Sequence, residues 1–131
     1  MIIADANFVI ALLNHTDAHH AWAEAAFDSI GGEAIGITAL NLAETLVHPY
    51  TAGVGEQFEE ALAELQIQVY GTAPEDATAL AILRAGSGLR MPDVAALEIA
   101  IRSGAGLCTS DAKLAAVARQ RGLRVLSPEA A

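Results

Sequence analysis

The sequence lacks positive charge over most of its length. Residues 1–83 contain twelve Asp or Glu and no Lys or Arg, whereas residues 84–131 contain all seven basic residues and four acids. The two parts carry formal charges of −12 and +3, which sum to the net charge of −9. Phosphate contacts require cations, so any binding of a nucleic acid must come from the second part or from a partner chain.

Cysteine and long apolar runs are also scarce. The single cysteine, Cys108, cannot form an internal disulfide, and its apolar setting "GLCT" predicts a small buried side chain. No segment reaches the roughly 18 uninterrupted apolar residues that a membrane-spanning helix needs. The apolar start follows no Lys or Arg and is interrupted by Asp5, unlike a signal peptide. We therefore expect a soluble, cytoplasmic protein.

The 131 residues are 53% apolar, a size and composition typical of one domain, which we predict to span residues 1–131. Apolar segments alternate with segments of helical periodicity. Strands are predicted within residues 1–5, 31–38, 67–71, 107–110 and 124–127. Helices are predicted over residues 6–14, 16–30, 39–49, 53–66, 73–88, 91–104 and 111–122. This alternation predicts an α/β fold with a parallel sheet of about five strands and helices on both faces.

Two carboxylates follow predicted strands. Asp5 ends the first strand and Asp111 follows the "LCT" strand directly. The carboxyl ends of parallel strands meet at one edge of a sheet, which is where α/β folds place their sites. Asp111 could equally be only the N-cap of the next helix, because Asp is favoured there.

Two further carboxylates lie on predicted helices. Asp93 shares a helical face with Ala96, Leu97 and Ala100, so it points inward, where an unpaired charge is costly. Glu98 and Arg102 lie on the other side of that helix, as an exposed i,i+4 pair.

Glu44 lies on a polar stripe with Asn41, Thr45 and His48, and solvent exposure explains this stripe as well as a site does. Carboxylates that converge at one sheet edge repel each other. A divalent cation relieves that repulsion, and an all-oxygen set of ligands selects Mg²⁺ or Mn²⁺.

Several segments in order resemble the PIN-domain ribonucleases, specifically the VapC-type toxins of toxin–antitoxin pairs. They are "IIADANFVIALL" with Asp5 and Asn7, "NLAETLVHP" with Glu44, and "MPDVAALEIAIRSGAGLCTSDAKLAAVA" with Asp93, Thr109 and Asp111. No single segment is specific, but the ordered set spans nearly the whole chain.

The resemblance implies that Asp5, Glu44, Asp93 and Asp111 form a catalytic site that binds Mg²⁺ or Mn²⁺. Asn7 and Thr109 would orient carboxylates or water. The implied reaction is hydrolysis of phosphodiester bonds in structured RNA, often tRNA in this family, leaving a 5′-phosphate. The implied partners are RNA, a cognate VapB-like antitoxin and a second copy of the chain.

Some residues have alternative interpretations. Arg90 and Lys113 are candidate RNA contacts, because they lie close to Asp93 and Asp111 in sequence, but each could be an ordinary surface cation. His15 and His19 have the i,i+4 spacing of zinc ligands but no accompanying cysteine, so a polar helix start is the better interpretation.

Two other functions remain open. A PIN-like module without catalysis could bind a protein partner, although such a module would be expected to lose one of the four acids. A phosphate-accepting receiver domain shares the parallel sheet and clustered acids, but the chain lacks a suitably placed Lys after a late strand.

Overall fold

The computed structural model describes residues 1–128. Over these residues it contains five strands, seven α-helices and one short 3₁₀ helix at Pro74–Asp76. The strands are β1 (Ile2–Ala4), β2 (Ile35–Thr38), β3 (Gln68–Tyr70), β4 (Gly106–Cys108) and β5 (Val125–Leu126). The helices are α1 (Ala6–Leu13), α2 (His20–Ile30), α3 (Ala39–Thr51), α4 (Gly55–Glu64), α5 (Ala77–Ser87), α6 (Met91–Ser103) and α7 (Ala112–Gln120). Within this part of the chain, no helix is both long and apolar enough to cross a membrane.

All five strands pair in parallel in the order β3-β2-β1-β4-β5, which confirms the predicted fold class. Ile2 at the start of β1 lies opposite Ile35 of β2 and Gly106 of β4. The chain moves from β1 outward to β2 and β3, and then crosses to the other side of β1 for β4. This order differs from the 2-1-3-4-5 order of receiver-type folds, so the structure does not support the receiver alternative.

The sheet carries a hydrophobic cluster on each face. Because side chains alternate along a strand, Ile2 and Ala4 of β1 pack with α1, α2 and α4, while Ile3 packs with α5, α6 and α7. Phe8 and Leu97 are among the fully buried side chains of the two clusters. The single tryptophan, Trp22, packs edge-on against Phe8 with ring centroids 5.8 Å apart.

Several predicted helix ends were wrong. α2 begins at His20 and not at Thr16 or Asp17, because Asp17 accepts a hydrogen bond from the His19 amide within a preceding turn. α3 continues past Pro49 to Thr51, and the Pro49 carbonyl accepts from the Val54 amide. α5 begins at Ala77 and not at residue 73, since Pro74–Asp76 form a separate 3₁₀ helix; it ends at Ser87, and the chain reverses at Gly88, whose φ is +69°.

Glu98 is buried, which corrects the prediction of an exposed pair with Arg102. The Glu98 carboxylate is 7% exposed and accepts from the Arg102 Nε at 3.1 Å. Arg102 also lies 3.8 Å from Asp76 of the 3₁₀ helix. Residues 71–76 and α5 therefore cover a face of α6 that helical periodicity alone leaves open to solvent.

Replacing Leu97 with Ala is expected to lower the free energy of unfolding by about 3 kcal/mol, because it leaves a cavity beneath the sheet. Ile101→Ala, on the same helix at a position 40% exposed, is the control and should cost less than about 1 kcal/mol. Urea denaturation of both variants measures the difference. Equal losses would mean that α6 does not cover the sheet as described.

Candidate active site

Asp5 lies where β1 ends, beside the crossover of the chain from one side of the sheet to the other. It is the N-cap of α1, and its Oδ1 accepts from the Phe8 amide at 2.9 Å. Its Oδ2 accepts from the hydroxyl group of Thr109, the residue that follows β4. The side chain is only 2% exposed, yet both carboxylate oxygens have a hydrogen-bond donor.

Thr109 connects Asp5 to Asp111. Its side chain is fully buried, and its Oγ1 also accepts from the Asp111 amide at 2.9 Å. Asp111 is the N-cap of α7, and its Oδ1 accepts from the Leu114 amide at 3.0 Å. The predicted capping role of Asp111 is therefore present, and the same residue lies close to Asp5.

Asp93, in the first turn of α6, points inward as predicted and is 7% exposed. Its only ion pair within residues 1–128 is with Arg90, whose Nε lies 3.7 Å from Asp93 Oδ2. The Arg90 side chain is 67% exposed, so water can reach this pair and weaken it.

A cleft of about 150 Å³ opens beside these carboxylates. Its wall brings Asp5, Glu44 and Asp93 together with Asn7 and Arg90. Glu44 is half-buried and lines the cleft, whereas helical periodicity alone could not distinguish a solvent-exposed Glu44 from one at a site. Asn7 is exposed at the rim. Asp111 does not line the cleft, although its charge acts on two residues that do.

Burial and the neighbouring carboxylates raise the pKa of Asp5 and that of Asp93. Burial raises the pKa of Asp5 from 3.8 to about 6; the Thr109 and Phe8 donors oppose this rise, and the charges of Asp93 and Asp111 add to it. Burial also raises the pKa of Asp93, as do the charges of Asp111 and Glu44, while Arg90 lowers it. The four predicted acids are therefore electrostatically coupled.

Asn41 is a site residue that the sequence interpretation missed. Its side chain is 1% exposed, and its Oδ1 accepts from the Ala6 amide at 3.3 Å. Its Nδ2 donates to Thr38 Oγ1 at 2.7 Å and to the Pro92 carbonyl at 3.0 Å. Asn41 thus joins the residue after Asp5 to the residue before Asp93. The available signal was its i,i+4 spacing to Thr45 and Pro49, which are also buried.

Apart from the Arg90 guanidinium, the polar side chains of the cleft are carboxylates and amides, whose oxygens are ligands that suit Mg²⁺ or Mn²⁺. Within residues 1–128, no three His, Cys, Asp or Glu side chains are close enough together to hold a metal ion without rearrangement. What the site offers a cation is excess negative charge in a buried setting. Asp5, Glu44 and Asp93 could hold such an ion, with Asp111 adding charge behind them.

Other candidate residues lie outside the cleft. Lys113 does not line it, and its Nζ donates to the Gly88 carbonyl at 3.3 Å. His19 and His20 lie at the start of α2, where His20 contacts the Ala11 carbonyl and Glu24. Cys108 is buried in β4, and burial together with the charge of Asp5 raises its pKa, which keeps it a neutral thiol.

Comparisons with known proteins identify the fold. The structure is similar to VapBC2 of Rickettsia felis, bound to a DNA fragment from their promoter, with a TM-score of 0.73, 17% identity, and 97% and 98% of the two chains covered. It is similar to a toxin–antitoxin complex from Klebsiella pneumoniae, with a TM-score of 0.71, 19% identity, and 85% and 87% covered.

A third similar structure is Mycobacterium tuberculosis VapC20, a sarcin–ricin-loop-cleaving toxin, with a TM-score of 0.71, 18% identity, and 89% and 95% covered. No curated protein sequence matches the chain. The sequence itself matches the PIN domain over residues 2–127. Since this match spans nearly the whole chain, the protein belongs to the PIN domain family.

Proposed function

We propose that this chain is a metal-dependent endoribonuclease toxin that hydrolyses phosphodiester bonds of structured RNA and is neutralised by a cognate VapB-like antitoxin. The observation that carries the proposal is the meeting of Asp5, Glu44 and Asp93 in one cleft, with Asp111 coupled to them. These acids come from four separate segments, and a chain without catalysis would have no need to keep them together.

In the proposed site, the chain's own hydrogen bonds fix Asp5 and the segment that carries Asp93 before any ligand binds, and the carboxylates would move closer together around an ion. The Phe8 amide donates to Asp5 Oδ1 and the Thr109 hydroxyl group donates to Asp5 Oδ2. Each oxygen therefore keeps a lone pair that is free to face the cleft. Asn41 holds the segments on which Asp5 and Asp93 lie. Arg90 is exposed at the rim, where its guanidinium can leave Asp93 and bind a phosphate oxygen of RNA.

A bound Mg²⁺ or Mn²⁺ would supply charge neutralisation at the phosphate and lower the pKa of a water ligand. The overall reaction adds one water across a P–O3′ bond, leaving a 5′-phosphate and a 3′-hydroxyl group. The carboxylates that repel each other in the free protein would be the groups that hold the ion. Their mutual repulsion is the reason that a divalent cation, rather than a neutral ligand, suits this cleft.

An antitoxin partner is supported by the similar structures, of which two are toxin–antitoxin complexes. An acidic cleft with a single cation at its rim can accept a basic side chain from such a partner. The competing candidate is a PIN-like module that binds a protein and has no activity. The four intact acids favour the nuclease.

Purified chain, free of any antitoxin, is expected to cleave cellular RNA when Mg²⁺ or Mn²⁺ is added. Asp5→Asn and Asp93→Asn should each lower the cleavage rate by about 100-fold or more, because stabilisation by a metal amounts to several kcal/mol. Sequencing of RNA 5′ ends measures cleavage and identifies the target.

Asp28→Asn, at an exposed acid of α2, is the matched control and should cleave like the wild type. Cleavage that survives both site substitutions would indicate a contaminating nuclease. A folded wild-type chain that binds metal and cuts no RNA would support the inactive binding module instead.

Stability without metal should fall as pH rises from about 4 to 6. In this window folded Asp5, with a pKa of about 6, holds more protons than the unfolded chain, whose ordinary pKa is 3.8. The resulting loss at pH 8 is on the order of 3 kcal/mol. Asp5→Asn should reduce this slope, leaving the smaller part that comes from the raised pKa of Asp93, and should raise stability at pH 8; Mg²⁺ should stabilise the wild type more than the variant.

Urea denaturation with a chelator, at pH 5 and pH 8, measures the effect. Asp28→Asn is again the control and should keep the wild-type slope. If Asp5→Asn were less stable than the wild type at pH 8, the carboxylate would be a structural group and not a destabilised ligand.

Replacing Asn41 with Leu should lower cleavage about 10- to 100-fold, as expected for a group that orients a ligand of a metal site. The change leaves the Ala6 amide and the Pro92 carbonyl without their partner. Thr45→Val, which removes a buried hydroxyl bonded to the Asn41 carbonyl, is the control for stability. Metal titration and cleavage of both variants should show a selective defect in Asn41→Leu. Losses of activity that track stability in both variants would contradict a positioning role.

A further inference from the structure

Three cations surround the loop that leads into α6. The loop comprises residues 86–90, from Gly86 in the last turn of α5 to Arg90 before α6. Lys113 of α7 donates to the Gly88 carbonyl at 3.3 Å, and the Arg84 guanidinium donates to the Leu89 carbonyl. Arg121 lies beside the start of the loop, because a β-carbon built on Gly86 would lie 3.6 Å from Arg121 Nη2. The loop therefore brings together cations from α5, from α7 and from the turn after α7.

These three cations differ from Arg102 and Arg124 in that no carboxylate forms an ion pair with them in the described residues. Arg102 pairs with Glu98 and Asp76, and Arg124 pairs with Glu33. Across residues 1–128, by contrast, Arg84, Lys113 and Arg121 form no ion pair with a carboxylate. All three are exposed. Arg84 and Lys113 donate only to backbone carbonyls, so their positive charge is available to an anionic ligand. Arg121 shares a groove with Glu75, Asp76 and Glu98, which offset part of its charge.

The cations lie beside the acidic cleft. The loop ends at Arg90, which lines the cleft and lies 3.7 Å from Asp93. Lys113 is two residues after Asp111. We call Arg84, Arg90, Lys113 and Arg121 the loop cations; they form a positive surface that reaches the cleft at Arg90.

This surface has no means of stacking on bases. All six aromatic residues of the chain lie within residues 1–70, and residues 71–131 contain no Phe, Tyr or Trp. Proteins that recognise unpaired bases usually stack them on aromatic side chains. Within the loop itself Leu89 is 2% exposed, whereas Ile82 and Met91, on either side of the loop, are exposed apolar side chains.

We propose that the loop cations bind consecutive phosphates of an RNA strand and guide it into the acidic cleft, without reading its bases. This proposal rests on the nuclease function proposed above and names the part of the chain that holds the substrate. RNA is preferred to an acidic protein because the surface reaches the candidate catalytic cleft at Arg90.

The test is binding of a fluorescein-labelled RNA hairpin to the full chain, measured by anisotropy in chelator so that no cleavage occurs. Arg84→Gln, Lys113→Gln and Arg121→Gln should each weaken binding about 3- to 10-fold, and each should reduce the slope of log affinity against log salt by roughly one unit. The triple variant should lose most of the salt dependence. Thermal unfolding verifies that each variant is folded.

Arg124→Gln is the matched control, because it removes the same charge at the opposite edge of the sheet, where Arg124 pairs with Glu33. It should bind within about twofold of the wild type, since most distant charges are screened. Hairpins of the same length with A-rich or U-rich loops should bind equally and lose affinity equally in the variants.

Several results would overturn the proposal. They are wild-type binding by the triple variant, an equal loss in Arg124→Gln, or a loss confined to one loop sequence. If the triple variant still bound RNA but no longer bound poly-L-glutamate, the surface would be a binding site for an acidic protein. Cleavage by the wild type is measured separately. Binding through this surface without cleavage contradicts only the nuclease, whereas cleavage with unchanged binding in the triple variant contradicts only the RNA surface.

Discussion

The hydrogen bonds of the Thr109 hydroxyl group are the contacts on which the site depends. One side chain donates to Asp5 after β1 and accepts from the amide of Asp111 at the start of α7. A buried carboxylate without donors would be too costly to keep ionised. With donors from Thr109 and Phe8 it can be ionised, but burial, and to a smaller extent the neighbouring acids, keep its pKa raised. Asn41 secures the other side of the cleft, so the segments that carry Asp5 and Asp93 are held by the fold.

Much of this arrangement follows from the sequence. Alternating strands and helices predicted the parallel sheet, and the positions of Asp5 and Asp111 after strands predicted where they meet. Helical periodicity placed Asp93 inward. It could not place Glu44, Asn41 or Glu98, because each is covered by segments distant in sequence. Glu98 is buried under residues 71–76 and α5, and Asn41 is buried where α3 meets α6.

The division of charge along the chain acquires a spatial meaning in the fold. Acids from the first part, Asp5 and Glu44, form one wall of the cleft, while Arg90 from the second part lies at its rim. The crossover from β3 to β4 brings the two parts together beside β1. Aromatic residues follow the same division and remain with the acidic part. The acids of the site thus come from both parts of the chain, since Asp93 also lines the cleft, whereas the cation at its rim comes from the second part alone.

The contact between Phe8 and Trp22 has a consequence for observing the site. Trp22 is the single tryptophan of the chain, and its ring meets the edge of Phe8 on one face of the sheet. The backbone amide of Phe8 is a hydrogen-bond donor to Asp5. The protein therefore contains an intrinsic fluorophore two contacts away from the buried carboxylate. Emission from the unmodified chain is therefore the first signal to test for occupancy of the cleft, because it needs no label near the acids themselves.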